Sequence, residues 1–195
     1  MGCNIKETFC VNRGATFVKR FMWDNGVLVS TPITAITQAA PVVVTAASHG
    51  LVNGWRAAVV SVGGMVALNS QNYPPKISDL KPITVVDANN VQFDDVNSAD
   101  FVAYTSGGFL ISRQAVSLAG ATATMNIRTA PQSGTILKTL TSSPAAGITL
   151  DDSAKTITVT FDTLAETWDF GYFDLEVTQA SGVIVEISNG TIQIE

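Results

Sequence analysis

Short runs of β-branched and aromatic residues recur along almost the whole chain, with turn residues between them. The run ATFVKRFMW at 15–23 places Phe17, Phe21 and Trp23 on one parity, which is the alternation of a half-buried strand. Such runs at spacings of about ten residues are typical of β-sandwiches and barrels. The sequence therefore predicts an all-β protein. Further strands are predicted at 41–47, 56–62, 81–96 (a hairpin), 121–130, 135–141, 155–161, 172–179, 183–187 and 191–195.

Turn residues suggest how these strands connect. Asp87 to Asn90 is predicted to form the turn of the hairpin at 81–96, and Asn189-Gly190 to reverse the chain between the last two strands. The one helical candidate is DTLAETWDF at 162–170, which Gly171 would end. It spans one or two turns, so it cannot form a layer of its own.

Composition and charge limit the class of partner. Hydrophobic residues make up 46% of the chain and charged residues 14%, against about 25% charged in ordinary soluble domains. This composition favours a protein that hides surface in an assembly. The net charge is −5, and the Lys and Arg residues are scattered, so we expect no nucleic-acid partner. No apolar run approaches the ~18 residues of a membrane helix, so we expect no membrane partner.

The N-terminus lacks the layout of a signal peptide. Its opening MGC resembles that of acylated proteins, but their motif requires Ser or Thr where this chain has Lys6. We therefore expect a short disordered or strand-leading terminus. Cys3 and Cys10 are half of a structural zinc site, which His49 does not complete. Free thiols are expected, with a small disulfide loop as the alternative.

Composition shifts in the middle of the chain. Residues 41–112 carry both Gly-Gly pairs, the Pro74-Pro75 pair and the single histidine. More regular predicted strands lie on both sides, and no Pro/Gly/Ser-rich linker marks a boundary. The middle segment is therefore expected to be inserted into its surroundings.

The stretches outside this segment resemble an Ig-like β-sandwich domain that is common in tail and baseplate proteins of tailed phages. The matching stretches are GATFVKRFMWDNG (14–26), VSLAGATATMNIR (116–128), GITL (147–150), TLAET (163–167), GYFDLEV (171–177) and GTIQI (190–194). In that family the first stretch runs almost directly into the second, whereas about ninety residues separate them here. The resemblance thus implies a sandwich with an insertion.

The insertion has its own resemblance. PVVVTAASHGLVNGWRAAVVSVGGMVALNSQNY (41–73), NNVQFDDVNSADF (89–101) and AYTSGG (103–108) are similar to a small β-barrel-like phage domain. That domain is related to the first catalytic cysteine half-domain of ubiquitin-activating enzymes. The sequence departs from the pattern at Trp55, where an acidic residue is preferred, and at 74–82. Together the resemblances predict a discontinuous sandwich of residues 1–28 plus 114–195 and an inserted β-barrel-like domain at 29–113.

Transfer of the related enzyme's activity is excluded by the residues themselves. Residues 31–112 contain no cysteine, and the chain has no Gly-rich phosphate loop with a lysine. His49 is the one side chain with an ordinary pKa near neutrality, but it lies in a Ser-His-Gly turn. We expect its imidazole to bond backbone groups of that turn, and Gly63-Gly64 to form a bulge or a turn.

The acidic clusters suggest no site either. Asp94, Asp95, Asn97 and Asp100 lack the spacing of a calcium-binding loop. Asp151-Asp152 is interpreted as an ordinary turn. A glycosidase needs two carboxylates about 5–10 Å apart, and Glu166 and Asp169 lie together in a short polar turn. The sequence therefore predicts no catalytic residue, no metal and no cofactor.

One aromatic residue is singled out for an interface. Trp23 shares its parity with core phenylalanines, but Trp55 follows an Asn-Gly turn, where a large ring is hard to bury. Aromatic residues and arginines are enriched at protein interfaces. Trp55 and Arg56 are therefore candidate interface residues, with burial of Trp55 in a small satellite cluster as the alternative.

The two resemblances imply a non-enzymatic structural component of a tailed-phage virion, assembled in the host bacterial cytoplasm. It is expected to act as an adaptor in the tail, baseplate or fibre-attachment apparatus, in multiple copies against other virion proteins. Exposed strand edges such as TIQIE at 191–195 are expected to pair with a neighbour. The alternatives are a capsid decoration or cement protein and a carbohydrate-binding module at the host surface.

Overall fold

A computed structural model describes residues 5–195, with side chains from residue 7 onward. The opening MGC, and with it Cys3, lies outside the described residues. Cys10 is exposed and forms no disulfide within the described part of the chain. None of the helical segments in residues 5–195 has the length and apolar character needed to cross a membrane.

The all-β prediction is confirmed. Regular structure in residues 5–195 consists of seventeen strands and two short 3₁₀ turns, Val66–Leu68 and Ile77–Asp79. Numbered in chain order, the strands are β1 (Ile5–Val11), β2 (Thr16–Met22), β3 (Asp24–Pro32), β4 (Ala35–Ile36), β5 (Val42–Thr45), β6 (Arg56–Val60), β7 (Lys81–Pro82), β8 (Thr84–Asp87), β9 (Asn90–Phe93), β10 (Phe109–Ala115), β11 (Thr122–Arg128), β12 (Ile136–Ser142), β13 (Ala145–Ala146), β14 (Ile148–Asp151), β15 (Thr156–Asp162), β16 (Phe170–Thr178) and β17 (Ile184–Ile194).

The chain divides into two compact units. The first unit consists of the described residues up to Trp23 together with Ala115–Glu195, and the second unit is Asp24–Gln114. The segment expected to be inserted, residues 29–113, falls within the second unit.

The first unit is a β-sandwich. A six-stranded sheet in the order β1-β17-β16-β11-β12-β13 and a three-stranded sheet in the order β14-β15-β2 share one core. Side chains alternate between buried and partly exposed along β11, β15 and β16, as their sequence period predicts. Each large apolar side chain buried in this way stabilises the fold by about 1.5–3 kcal/mol. The largest fully buried members of the core are Met125, Ile127, Ile157, Leu175 and Ile192.

The C-terminal strand differs from its prediction. Asn189-Gly190 makes no turn, because β17 runs without a break from Ile184 to Ile194. Gly190 lies opposite Phe173 of β16 on one side and Glu7 of β1 on the other. The segment TIQIE is therefore internal to the sheet rather than an exposed edge, and the expectation that it pairs with a neighbouring protein is wrong.

The predicted helix DTLAETWDF is also absent. Its first residue ends β15, and an irregular turn follows. Thr163 is fully buried, and its Oγ1 donates to the carbonyl oxygens of Asn12 at 3.0 Å and Ala15 at 2.6 Å. The Asp162 carboxylate accepts the N–H of Leu164. The Thr163 bonds hold this turn against the segment between β1 and β2.

The second unit contains two open four-stranded sheets, with strand orders β3-β10-β6-β7 and β4-β5-β9-β8. The predicted hairpin is confirmed as β8 and β9, with Ala88 and Asn89 at its turn. No pairing closes either sheet into a barrel among the described strands, contrary to the β-barrel-like expectation. The edge strands β4 and β7 are only two residues long, so neither can extend its ladder around a barrel.

Candidate functional site

The histidine that the sequence singled out is a structural part of the second unit. His49 is buried, and its Nδ1 accepts the N–H of Leu51 at 3.0 Å. Its Nε2 lies 3.0 Å from the carbonyl oxygen of Asp87. Because Nδ1 accepts, the proton is assigned to Nε2, which donates to that carbonyl. The imidazole thus ties its own turn to the β8–β9 hairpin, as expected from the sequence.

The hairpin turn is held by side chains on both sides of it. The Asp87 carboxylate accepts hydrogen bonds from the Asn90 side chain and from the N–H of Asn89, and these bonds, the Asn90 ones first, lower the pKa of Asp87. The Asn89 side chain accepts the N–H of Ser48. The surroundings of His49 are therefore turn structure.

The two Gly-Gly pairs, Gly63-Gly64 and Gly107-Gly108, lie where two segments of the second unit pack closely together. Gly64 has φ +76°, and a Cβ there would lie 2.0 Å from the carbonyl oxygen of Ala103. Gly108 has φ +86°, and a Cβ there would lie 2.3 Å from the Val62 side chain. Gly63 donates to the carbonyl of Ser106 and accepts from the N–H of Thr105. The GGM and AYTSGG elements of the motif thus pack backbone against backbone, which only glycine permits.

Trp55 does not lie at the surface. Its side chain is buried, with 4% of the residue exposed, and its Nε1 donates to the carbonyl oxygen of Arg113 at 2.9 Å. The ring therefore takes the interior position that was the alternative interpretation, and it offers no area to a partner. Arg56 is exposed, and its guanidinium donates to the Leu80 carbonyl. Its role at an interface stays a prediction.

The acidic loop at 94–100 is held internally. The Asp94 carboxylate accepts from the side chains of Gln92 at 2.6 Å and Thr84 at 2.7 Å, which lower its pKa in that order. Ser98 is fully buried, and its hydroxyl bonds the backbone of Thr37 and Ala39. Sequence reasoning missed Ser98, because a serine in a polar loop gives no sign of the distant backbone that it anchors.

The acidic pair Asp151-Asp152 lies in a turn of the first unit. Asp151 accepts from Ser153 and from the N–H of Ala154, and Asp152 accepts from Lys155 and from the N–H of Leu118. These bonds confirm the turn predicted there. Within residues 5–195, no three His, Cys, Asp or Glu side chains are grouped as metal ligands would be.

Glu166 and Asp169 are engaged in separate ion pairs. The Glu166 side chain is 8% exposed, and its carboxylate accepts from Lys138 Nζ at 2.5 Å and from Trp168 Nε1 at 2.8 Å. Asp169 is largely exposed and pairs with Arg13, which also donates to the carbonyl of Glu166. The two carboxylates therefore serve to hold the turn after β15.

A cleft of about 540 Å³ opens in the second unit. Two of its polar residues are bonded within the protein: Asn69 bonds the N–H and carbonyl of Val62, and Asp79 accepts from Asn72 and from the N–H of Lys76. These bonds lower the pKa of Asp79, the backbone one most strongly. Both residues thus hold the cleft wall in shape. The rest of the lining includes Ala57, Leu68, Gln71, Phe93, Asp95 and Phe101.

Strand β3 lies at the edge of its sheet and exposes a run of apolar side chains. Val27, Leu28 and Val29 are 55%, 39% and 38% exposed, so the strand is open on both faces. Its single charged residue, Asp24, pairs with Arg113 at 3.3 Å. Period-two reasoning did not find β3, because its three consecutive apolar residues show no alternation. The exposed surface of β3 is therefore a candidate protein-contact site.

Comparison with known proteins adds no identification, since no family model matches the chain and no curated protein matches it.

Proposed function

We propose that the chain is a non-enzymatic structural protein of a tailed-phage virion, acting as an adaptor in the tail, baseplate or fibre-attachment apparatus. The observation that carries the proposal is the edge strand β3, which exposes the apolar side chains of Val27, Leu28 and Val29 on an all-β framework. Unpaired strand edges bind other chains through main-chain hydrogen bonds. An adaptor needs such a contact surface and no reacting group.

The resemblance of the sequence to two phage modules supplies the setting. The motif glycines of the second module have one structural role, because Gly64 and Gly108 let the GGM and AYTSGG elements pack closely. This packing supports the resemblance. The virion location, the multiple copies and the neighbouring virion proteins belong to the proposal.

The residue on which the carbohydrate-binding alternative was based is not available at the surface. That alternative depended on an exposed aromatic side chain at position 55, and Trp55 is buried. The capsid-decoration alternative differs from the adaptor only in where the protein is attached, and labelling of the particle separates the two.

The test is quantitative mass spectrometry of gradient-purified particles of the phage that encodes the chain. We expect the protein at a constant ratio to the tail proteins through repeated salt washes. Immunogold labelling should mark the tail, whereas label on the shell would favour the decoration alternative. A protein that is abundant in the infected cell and missing from purified particles would overturn the proposal.

A further inference from the structure

The polar side chains that line the cleft of the second unit fall into two groups. Asn69, Ser70 and Asp79 are bonded to neighbouring protein groups and hold the wall in shape. The side chains of the other group make no hydrogen bond or ion pair within residues 5–195: Gln71, Ser78, Lys81 and Asp95. In the same part of the chain, the amide N–H groups of Asn97 are free, because only its Oδ1 is bonded, to the N–H of Ala99. The cleft therefore carries polar groups that the fold itself does not use.

The segments that carry these free groups are fixed in place. Lys81 lies in β7, which pairs with β6, and Gln71 follows shortly after Asn69, which forms a bridge with the same strand. Asp95 follows β9, in the loop that the buried Ser98 anchors to distant backbone. A ligand would therefore order few further residues, which lowers the entropic cost of binding.

The rest of the lining that carries the argument is apolar. Ala57, Ala58 and Val59 of β6 and Phe93 of β9 are buried, and Phe101 is partly buried. Small-molecule sites combine such an apolar surface with a few polar groups, and the cleft volume of about 540 Å³ lies within their usual range. The cleft thus has the size and the composition of a site for a small ligand.

Charge and hydrogen bonding indicate which class of ligand fits. A ligand with a net charge of either sign would meet a like charge, at Lys81 or at Asp95. A purely apolar ligand would bury the free polar groups without partners, which is unfavourable. A hydroxyl group both donates and accepts, so it can bond the ammonium, the carboxylate, the amides and the Ser78 hydroxyl. A neutral compound with several hydroxyl groups and apolar C–H faces satisfies all of these conditions.

We propose that this cleft binds a neutral mono- or disaccharide. The sugar hydroxyl groups bond Lys81, Asp95 and the neutral polar side chains, and the C–H face of a ring lies against the apolar lining, Phe101 included. The binding activity goes beyond the proposed function and does not rest on it. The site is also distinct from Trp55, whose ring is buried.

The experiment is an NMR titration of the full, isotope-labelled chain. The probes are glucose, galactose, mannose, N-acetylglucosamine, maltose and lactose, each added up to ~100 mM, a range that detects weak binding. We expect at least one of them to cause saturable shifts of the backbone amide signals of Gln71, Lys81, Asp95 and Asn97. Inorganic phosphate and the zwitterion alanylalanine are the charged comparisons, and both should bind more weakly than that saccharide.

A pair of variants tests whether the free groups make the contacts. Asp95→Ala removes the free carboxylate and is expected to weaken saccharide binding by about tenfold or more, because hydrogen bonds to a charged group are among the stronger ones. Asp100→Ala is the matched control, since Asp100 is exposed in the same loop and does not line the cleft. It should bind as the wild type does, and thermal unfolding verifies that both variants fold.

Three results would overturn the proposal. They are the lack of a saturable shift at the cleft with any of the six saccharides, tighter binding of phosphate or alanylalanine there, and an affinity that Asp95→Ala leaves unchanged. None of them bears on whether the protein is present in purified particles, so the proposed function is tested separately.

Discussion

Gly190 of β17 lies opposite Glu7 of the parallel strand β1, so close that a Cβ at Gly190 would lie 1.8 Å from the Glu7 carbonyl oxygen. No side chain can occupy that space, and the obstacle is backbone rather than a flexible side chain. Glycine is therefore required at this position by the approach of β1. The Asn-Gly pair has the composition of a hairpin turn, yet it serves the middle of a strand.

Gly190→Ala is expected to lower the free energy of unfolding by about 1–3 kcal/mol, the usual cost of an overpacked site. Chemical denaturation measures it. Gly14→Asn is the control, because Gly14 has φ +87° with nothing within 4 Å of its Cβ, and Asn tolerates that conformation. Equal stability of Gly190→Ala and the wild type would show that β1 does not pack here.

The regular strands of the first unit could be predicted from the sequence because each has one buried face. Residues such as Ile157, Val159 and Phe161 alternate with polar neighbours, so the pattern itself records the burial. The hairpin predicted at 81–96 is found at 84–93, and it could be predicted because Asp and Asn residues mark its turn.

The predictions from the sequence were wrong at positions where contacts with a distant part of the backbone determine the local structure. Thr163 bonds carbonyl groups about 150 residues earlier in the chain, and Trp55 is buried with its Nε1 bonded to the carbonyl of Arg113. Gly190 lies against the backbone of Glu7, which is at the other end of the chain. A local pattern cannot contain such partners. The candidate contact strand β3 was missed because an edge strand open on both faces has no alternation to detect.

The Glu166 carboxylate is buried and joins Lys138 to the Trp168 indole. Its removal is therefore expected to lower the free energy of unfolding. Glu166→Ala removes the partner of both Lys138 and the Trp168 indole N–H. Breaking a buried pair by removing one partner costs about 3–5 kcal/mol. Because the Lys138 side chain is 26% exposed and regains water, we expect about 2–4 kcal/mol in urea denaturation. Asp169→Ala, at a largely exposed ion pair, is the control and should cost under about 1 kcal/mol. Similar losses for the two variants would contradict this role of Glu166.

His49 should matter for stability in the way a structural residue does. His49→Ala leaves the N–H of Leu51 and the carbonyl of Asp87 without their partner, at a cost of about 1–3 kcal/mol. His49→Gln retains a donor and an acceptor and is expected to recover part of the loss. Thermal unfolding of the two variants measures the difference, and an unchanged midpoint for His49→Ala would exclude the bridging role.

Acid should destabilise the protein through its hydrogen-bonded carboxylates. The Lys155 ammonium, and then the N–H of Leu118, lower the pKa of Asp152. A lowered folded pKa means that the stabilisation is fully present above the unfolded pKa of about 3.9 and is lost as the pH falls through that value to the folded one. Denaturation midpoints between pH ~6 and ~2.5 should therefore fall less steeply in Asp152→Asn than in the wild type. Asp100→Asn is the control, since Asp100 is exposed. Identical pH profiles for Asp152→Asn and the wild type would contradict the assignment.

We propose that the chain works by contact inside a virion, and a cryo-EM map of the purified particle tests this proposal most directly. We expect density for both β units at the tail, in symmetric copies and with a neighbouring protein against β3. A map of the complete particle in which the protein occupies no position would contradict the claim.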